Sequence, residues 1–295
     1  MTENALEVRG LGKAYRGFTL EEVSFAIPRG YVMGLIGPNG AGKTTIIKLV
    51  MNLVSRGAGE IEVFGLDSLV HEREVKSRIG FVYDEPCFPH DATARDLGWA
   101  IGPFYPGWRE ERYRGLLAEF GVPEGRKFKK LSQGMQMKLA LALALSHDAD
   151  LLLMDEPTAG LDLGFRRELL DHLSAILQDE GKSVLFSTHV TSDLERIADF
   201  VTFIRGGELV FTLPKDELRD GWGIVRGNGN LLERLGGLPV RGVRRGPYGV
   251  EALVADVAGA RKACGEDAVV DRATLDDVMV FMTRGESGGD DVDAH

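Results

Sequence analysis

The order of the hydrophobic patterns along the chain predicts an α/β core. Residues 5–35 alternate apolar and polar positions between Gly and Pro, which is typical of short strands, and they end in the largely apolar stretch 31–36. A glycine-rich turn follows at 37–42, and from Lys43 to Leu53 the apolar residues recur at helical spacing. The pattern therefore predicts strand, loop and helix in that order.

A helical segment and a second group of strands follow. Residues 93–147 have helical character and are divided by prolines, so we expect an inserted helical subdomain over about 85–148. Strand-like apolar runs then return with helical stretches between them, as in a parallel sheet. These runs lie at residues 151–154, 183–186 and 200–204.

The pattern changes again near residues 214–223, where we predict a domain boundary. A Gly-rich segment of mixed short strands and helices continues to about Arg284, and a Gly- and Asp-rich end follows it. We expect a large α/β domain over 1–215, a small α+β domain over 216–284 and a disordered tail over 285–295.

The net charge of -10 opposes binding to a polyanion, so nucleic acid is not an expected partner. Arg241, Arg244 and Arg245 near Tyr248 could form a small basic patch. In an acidic chain, however, a solvated surface explains these arginines better.

The sequence also indicates a cytoplasmic location. The two cysteines, Cys87 and Cys264, are too few for a disulfide framework, and the start of the chain does not resemble a signal peptide. The longest apolar run, residues 139–145, is far shorter than the ~20 residues that a membrane-spanning helix needs.

Residues 37–44 read GPNGAGKT and match the pattern of a phosphate-binding loop, G-x-x-x-x-G-K-[ST], between a predicted strand and a predicted helix. Glycines let backbone N–H groups turn inward around phosphates, and the helix adds the positive end of its dipole. Lys43 would reach the β and γ phosphates, and Thr44 would bind Mg²⁺.

Residues 151–156 read LLLMDE, a buried strand that ends in two carboxylates. A core tolerates such groups only where they meet water, a metal or a ligand. Asp155 would hold Mg²⁺, and Glu156 would orient and polarise the water that attacks the γ phosphate. The alternative is a solvated cap for the next helix, and the phosphate-binding loop upstream makes the catalytic interpretation the better one.

Residues 131–135 read LSQGM and resemble the signature motif of ATP-binding cassette (ABC) proteins, usually LSGGQ. Ser132 and Gly134 are retained, whereas Gln133 and Met135 depart from the motif. A helix N-terminus there would offer a hydroxyl and backbone N–H groups to the γ phosphate. An ordinary serine cap is the alternative.

Further ABC motifs follow in the family's order over residues 6 to about 213. Asp162 in the segment 159–162 resembles the D-loop, and His189 resembles the switch histidine that contacts the γ phosphate. Tyr15 matches the tyrosine that stacks on adenine. Outside this series of motifs, a lone histidine or tyrosine would be more simply structural. Further ATP contacts implied by the resemblance fall on Asn39, Gly40, Gly42 and Thr45.

Residues 79–85 align with the family's Q-loop, but Asp84 takes the place of the glutamine. A carboxylate can still bind Mg²⁺. The equally plausible alternative is that Asp84 and Glu85 cap a solvated loop.

The resemblance implies a P-loop NTPase cassette with a mixed sheet, an antiparallel β edge and a helical subdomain. It also implies an ATPase that uses ATP and Mg²⁺ and works as a dimer, with a second cassette opposing each phosphate-binding loop. The motifs look most like those of ABC-2-type bacterial exporters, and residues 274–279 resemble the final helix of those proteins and contain a capping box. Such a protein would lie on the inner face of the plasma membrane and act on a separate permease. An importer ATPase and an ABC ATPase without a transport role are the alternatives.

Overall fold

The computed structural model describes residues 4–178, 181–247, 249–265 and 268–284. The strands are β1 (Asn4–Tyr15), β2 (Phe18–Pro28), β3 (Val32–Ile36), β4 (Ala58–Val63), β5 (Leu66–Asp67), β6 (Ile79–Val82), β7 (Leu151–Asp155), β8 (Ser183–Ser187), β9 (Phe200–Arg205), β10 (Glu208–Pro214), β11 (Gly223–Gly227), β12 (Val240–Gly246), β13 (Gly249–Val254) and β14 (Val269–Arg272). The helices are α1 (Lys43–Val50), α2 (Glu72–Ser77), α3 (Ala94–Ile101), α4 (Glu110–Glu119), α5 (Gln133–Leu145), α6 (Leu163–Ile176), α7 (Thr191–Ile197), α8 (Lys215–Gly221), α9 (Leu231–Arg234), α10 (Val257–Cys264) and α11 (Leu275–Arg284). Tyr248 and the predicted tail over 285–295 lie outside the described residues.

The central sheet has the strand order β10-β9-β3-β8-β7-β6. Its strands pair in parallel except for β10, which returns antiparallel to β9 after the turn at Gly206 and Gly207. Every residue of β3, β7 and β8 is buried, as expected for the interior of a parallel sheet. Because the carboxyl ends of parallel strands meet at one edge, the loops after these three strands lie together. The predicted α/β fold is confirmed.

A separate antiparallel sheet with the order β2-β1-β4-β5 packs over α1. Leu11, Ile27 and Ile46 lie in one hydrophobic cluster that joins this sheet to the helix. The helix ends at Val50, so Leu53, which we expected in it, lies beyond the helix with its side chain 53% exposed. Asn52 has a φ of 51°, and this left-handed conformation ends the helical spacing.

The segment 93–147 contains α3, α4 and α5, as its pattern predicts. A capping box of Thr93 and Asp96 starts α3, and the hydroxyl of Tyr113 on α4 donates a hydrogen bond to the carbonyl of Ala94 at 2.6 Å. The apolar run 139–145 is buried in α5, so it serves as core. Among the helices of the described residues, none is long and apolar enough to cross a membrane.

The C-terminal segment forms an antiparallel sheet with the order β12-β13-β11-β14. Some of its apolar residues, such as Val225, form a separate small cluster. Others, including Trp222 and Phe281, belong to the same hydrophobic cluster as α5 and the central sheet. The two sides of the predicted boundary near residue 215 thus share a core, and the division into domains stays a prediction.

The arginines considered as a basic patch belong to β12. The Nη1 atom of Arg244 lies 3.7 Å from Oε2 of Glu251, whose Oε1 is 2.8 Å from Nε of Arg226. The carboxylate of Glu251 therefore offsets part of the positive charge on this face.

Candidate functional site

The phosphate-binding loop runs from the end of β3 to the start of α1 in close contact with the turn between β9 and β10. The N–H of Gly207 donates to the carbonyl of Ala41 at 3.1 Å. A Cβ atom added to Gly37 would lie 2.1 Å from the carbonyl oxygen of Ile204, so only glycine fits there. Gly42 precedes α1 with a φ of 114°, which strongly favours glycine. These contacts fix the path of the loop around the helix N-terminus.

Lys43, the first residue of α1, points its amine back along the loop. Its Nζ donates to the carbonyls of Gly37 at 2.8 Å and Pro38 at 3.3 Å. Burial lowers the pKa of Lys43, and the nearby carboxylates of Glu156 and Asp155 partly oppose this change. The amine is thus held at the mouth of the loop, with its side chain 7% exposed.

The carboxylate of Asp155 is fully buried at the end of β7. Its Oδ1 accepts a hydrogen bond from the Ser187 hydroxyl at 2.5 Å, whereas its Oδ2 is buried without a hydrogen-bond partner among the described residues. A buried, unpaired carboxylate oxygen is costly unless a cation or its water binds there. This donor set fits Mg²⁺, which proteins usually bind through one or two carboxylates together with substrate phosphates.

Ser187 was missed in the sequence analysis. It ends β8 directly opposite Asp155 in the parallel register. The backbone N–H of Glu156 also donates to the Ser187 hydroxyl at 3.1 Å. A polar residue that ends the strand before the predicted switch histidine was the available signal, but only the sheet register identifies its partner.

Glu156 lies between His189 and Lys43. Its Oε2 lies 2.8 Å from Nδ1 of His189, and its Oε1 lies 3.8 Å from Nζ of Lys43. The backbone of Glu156 has a φ of 47°, an uncommon conformation for a non-glycine residue, and it turns the chain sharply after β7. The loops after β3, β7 and β8 therefore bring Lys43, Glu156 and His189 together.

Asp84 follows β6 at the same edge of the sheet. Burial raises the pKa of Asp84, and the negative charges of Asp155 and Glu156 raise it further. Asp84 therefore lies within electrostatic range of the other two carboxylates. Within the described residues, no group of three or more His, Cys, Asp and Glu side chains is arranged to hold a metal ion.

The other predicted contacts of the phosphate-binding loop lie around Lys43. Thr44 and Thr45 occupy the first turn of α1 and are half-buried, and Asn39 and Gly40 are exposed in the loop. Tyr15 lies at the end of β1, is 44% exposed, and has the amine of Lys13 5.3 Å from its ring centroid.

The signature segment forms a second group. Ser132 caps α5, and its hydroxyl accepts a hydrogen bond from the Met135 N–H at 3.4 Å. A Cβ atom on Gly134 would lie 3.4 Å from the carbonyl oxygen of Gly160 in the D-loop-like segment. Within the described residues, these contacts stay inside the signature and D-loop segments and do not reach Lys43.

Asp162 caps α6 by accepting a hydrogen bond from the Phe165 N–H at 3.0 Å, and this bond lowers the pKa of Asp162. The observed role is therefore that of a helix cap for α6.

The fold and the clustered lysine, carboxylates and histidine define a P-loop nucleotide hydrolase. Residues 20–159 match the protein-family model described as ABC transporter. The lantibiotic transport ATP-binding protein SrtF of Streptococcus pyogenes is 35% identical over 214 residues, which cover 72% of this chain and 91% of SrtF. The Nod factor export ATP-binding protein I of Rhizobium johnstonii is 33% identical over 212 residues, which cover 70% of this chain and 68% of that protein.

Two solved structures agree with this assignment. The ATP binding subunit of an ABC transporter is 27% identical with a TM-score of 0.67, and the match covers 73% of this chain and 92% of that one. A dimeric ATP-binding cassette bound to ADP and Pi is 21% identical with a TM-score of 0.64 over 71% of this chain and 98% of that one, and it supports the fold alone. The chain belongs to the ABC transporter ATP-binding proteins and is an ATP-binding ATPase.

Proposed function

We propose that this ATPase powers export through a separate membrane permease, and that two copies of it enclose two ATP molecules between them. The observation that carries the proposal is the meeting of Lys43, Asp155, Glu156 and His189 at the carboxyl ends of β3, β7 and β8. P-loop hydrolases cleave the γ phosphate with a lysine on the phosphates, an Asp that helps to hold Mg²⁺ and a residue that orients the attacking water. Lys43, Asp155 and Glu156 can take these three parts.

The nucleotide would bind along the phosphate-binding loop. The N–H groups of residues 39–44 and the amine of Lys43 would hold the β and γ phosphates, and Tyr15 would stack on the adenine. Thr44, Asp155 and Asp84 would hold Mg²⁺, which when bound neutralises charge that develops on the phosphate oxygens.

Glu156 is the proposed general base. In this structure its carboxylate is held by His189 and faces Lys43. A γ phosphate that binds the same two groups would compete for them and leave the carboxylate free to orient water and accept its proton. His189 would then report whether the γ phosphate is present.

The proposed dimer would bring the two groups of site residues together. Ser132 is exposed at the N-terminus of α5, where its hydroxyl and the helix N-terminus could meet a phosphate held by another copy. Each ATP would therefore touch Lys43 and Thr44 of one copy and Ser132 and Gly134 of the other.

A permease would dock on the helical segment beside Asp84. Trp99 is 82% exposed and Phe104 is 79% exposed, both large aromatic side chains of the kind enriched at interfaces. A separate cleft of about 350 Å³ is lined by Asp84, Phe88 and Gln133 among others. It lies between the Q-loop-like segment and the signature helix, so a partner in this cleft would contact both of them.

The direction of transport is proposed from the relatives. One has export and another has transport of a lantibiotic in its name. Transport measured in inside-out vesicles decides the direction: substrate accumulation inside them supports export, and ATP-driven loss of preloaded substrate supports import.

Purification of the tagged chain from its native membranes tests the proposed function. Wild-type protein should retain an integral membrane protein and hydrolyse MgATP. The double variant W99S/F104S should lose the membrane protein, because the aromatic side chains that would contact it are removed. The control Val269→Ser should keep the membrane protein, since Val269 is also exposed, at 59%, but lies on β14.

Glu156→Gln should keep the membrane protein while turnover falls by about 100-fold or more. Near-normal turnover of Glu156→Gln would reject the base, and retention by W99S/F104S would reject the docking site.

A further inference from the structure

The C-terminal helix α11 is anchored to the ATPase core near its first turn. Thr274 and Asp277 form a capping box, in which the Thr274 N–H donates to Asp277 at 2.9 Å and the Asp277 N–H donates to the Thr274 hydroxyl at 3.1 Å. The box confirms the capping pattern predicted at 274–277. It leaves the carboxylate of the neighbouring Asp276 free to bind another element.

That carboxylate binds α7. The hydroxyl of Thr191 donates a hydrogen bond to Oδ1 of Asp276, and the N–H of Leu275 donates to Oε1 of Glu195 at 3.3 Å. Apolar residues of both helices, including Leu194 and Val278, lie in one hydrophobic cluster. The two helices are therefore joined by packing and by two polar contacts across 80 or more positions of sequence.

Thr191 starts α7 two positions after His189. Thr191 is 3% exposed, so its hydroxyl relies on Asp276 as a hydrogen-bond partner, although Asp276 itself is exposed. Asp193 in the same turn is held by Nε of Arg166 on α6 at 2.7 Å. The first turn of α7 is thus fixed by α6 on one side and by α11 on the other.

The far end of α11 reaches the element that supports the phosphate-binding loop. Arg205, the last residue of β9, donates through Nη1 to the carbonyl of Met282 at 2.6 Å. Two residues later, Gly207 donates to Ala41 of the phosphate-binding loop at 3.1 Å. One helix of the C-terminal segment therefore contacts the supports of both the switch histidine and the loop.

We propose that Asp276 is a positioning residue for ATP hydrolysis. By holding Thr191 it fixes the start of α7, and thereby the place of His189 beside Glu156. The C-terminal segment is then part of the ATP switch, and loosening it would slow turnover. This inference rests on the role proposed above for His189.

The expected effect is on turnover rather than on ATP binding. Displacing a catalytic contact by a fraction of an ångström to 1 Å can lower a rate by tenfold or more, whereas the grip of the phosphate-binding loop is unaffected. A role in folding alone would lower the free energy of unfolding and leave the rate of the folded protein unchanged.

The test compares kcat and KM for ATP with the urea unfolding of purified variants, in complex with the permease if the isolated chain is slow. Asp276→Ala and Thr191→Val should each lower kcat about tenfold with KM within about twofold, and the double variant should lose no more than either single one. Asp276→Asn retains an acceptor oxygen and should keep most of the activity. The matched control is Asp277→Ala, which removes the capping box from the same turn but does not touch Thr191.

Normal kcat in Asp276→Ala, or an equal loss of kcat in Asp277→Ala, would overturn the inference. The variant His189→Ala separates it from the proposed function. If His189→Ala is inactive while Asp276→Ala is normal, only the positioning role fails. If His189→Ala turns over normally, the role of His189 and the positioning role fail together.

Discussion

Asp84 destabilises the nucleotide-free fold and offers a carboxylate to the proposed Mg²⁺ site. Its carboxylate is partly buried among Asp155, Glu156 and Glu85, and these surroundings raise the pKa of Asp84. A carboxyl group with a raised folded pKa destabilises the fold at pH values above that pKa, because its charge is less favourable there than in the unfolded chain. Active sites commonly retain such groups where a ligand compensates them.

Replacing Asp84 by Asn should therefore stabilise the nucleotide-free protein and weaken its use of Mg²⁺. At pH 7.5 the free energy of unfolding should rise, and the gain should shrink as the pH falls and Asp84 of the wild type becomes protonated. The Mg²⁺ concentration for half-maximal ATPase activity should also rise, since one proposed ligand is lost. Urea unfolding and Mg²⁺ titration measure the two effects, with the exposed neighbour Glu85→Gln as control. An unchanged Mg²⁺ requirement would place Asp84 in a capping role instead.

The residues of the site differed in how well the sequence alone could identify them. Lys43 and Glu156 could be identified from the sequence because each lies in a local pattern that joins a strand end to a loop. Ser187 and Asp276 could not be identified in this way, since their partners Asp155 and Thr191 lie in other elements that only the tertiary fold brings near. Asp162 was predicted from resemblance as an ATP contact, and the structure adds the capping bond that any Asp before a helix can make.

At the scale of elements, a stacked aromatic pair joins two parts of the helical segment. The rings of Tyr105 and His147 have their centroids 4.0 Å apart, and His147 is 4% exposed just after α5. Burial, aided by the nearby cations Lys182 and Arg112, lowers the pKa of His147 to about 4. The imidazole is therefore neutral in the folded protein at neutral pH.

This pair gives the protein an acid-sensitive contact. Below about pH 6.5 the unfolded chain protonates His147 while the folded protein does not, so stability falls as the pH drops and levels off near pH 4. Between pH 7.5 and 5 the contribution of this group amounts to about 2 kcal/mol. Urea unfolding at the two pH values should give a loss smaller by about this amount in His147→Phe, which keeps the stacking but cannot titrate. Equal losses in both proteins would contradict this assignment.

The elements themselves followed from the sequence where the pattern was strong. The buried strands β3, β7 and β8 were predicted from continuous apolar runs. Helix α1 was predicted from the glycine-rich loop before it and the helical spacing after it. The end of α1 did not follow from spacing, since Asn52 adopts a left-handed conformation that the apolar periodicity does not reveal. The docking of α11 on α7 depends on a core shared across the predicted boundary, which composition alone could not indicate.

At the scale of the whole molecule, each chain carries one phosphate-binding loop and one signature segment. Glu156 lies against both Lys43 and His189 at one site. Ser132 caps an exposed helix N-terminus in the signature segment. In the proposed dimer a catalytic unit combines two copies, and each copy completes the other's site. If the arrangement is head-to-tail, two different inactive variants should restore activity when they are mixed.

Mixing Lys43→Ala with Ser132→Phe tests the claim most directly. Each variant alone should be inactive, because every site of its homodimer contains the defect. In a mixed dimer one site carries both defects and the other carries neither, so the mixture should regain up to about a quarter of wild-type ATP turnover if subunits exchange at random. Activity of the mixture that stays at the level of the separate variants, with exchange verified by differently tagged copies, would contradict the shared site.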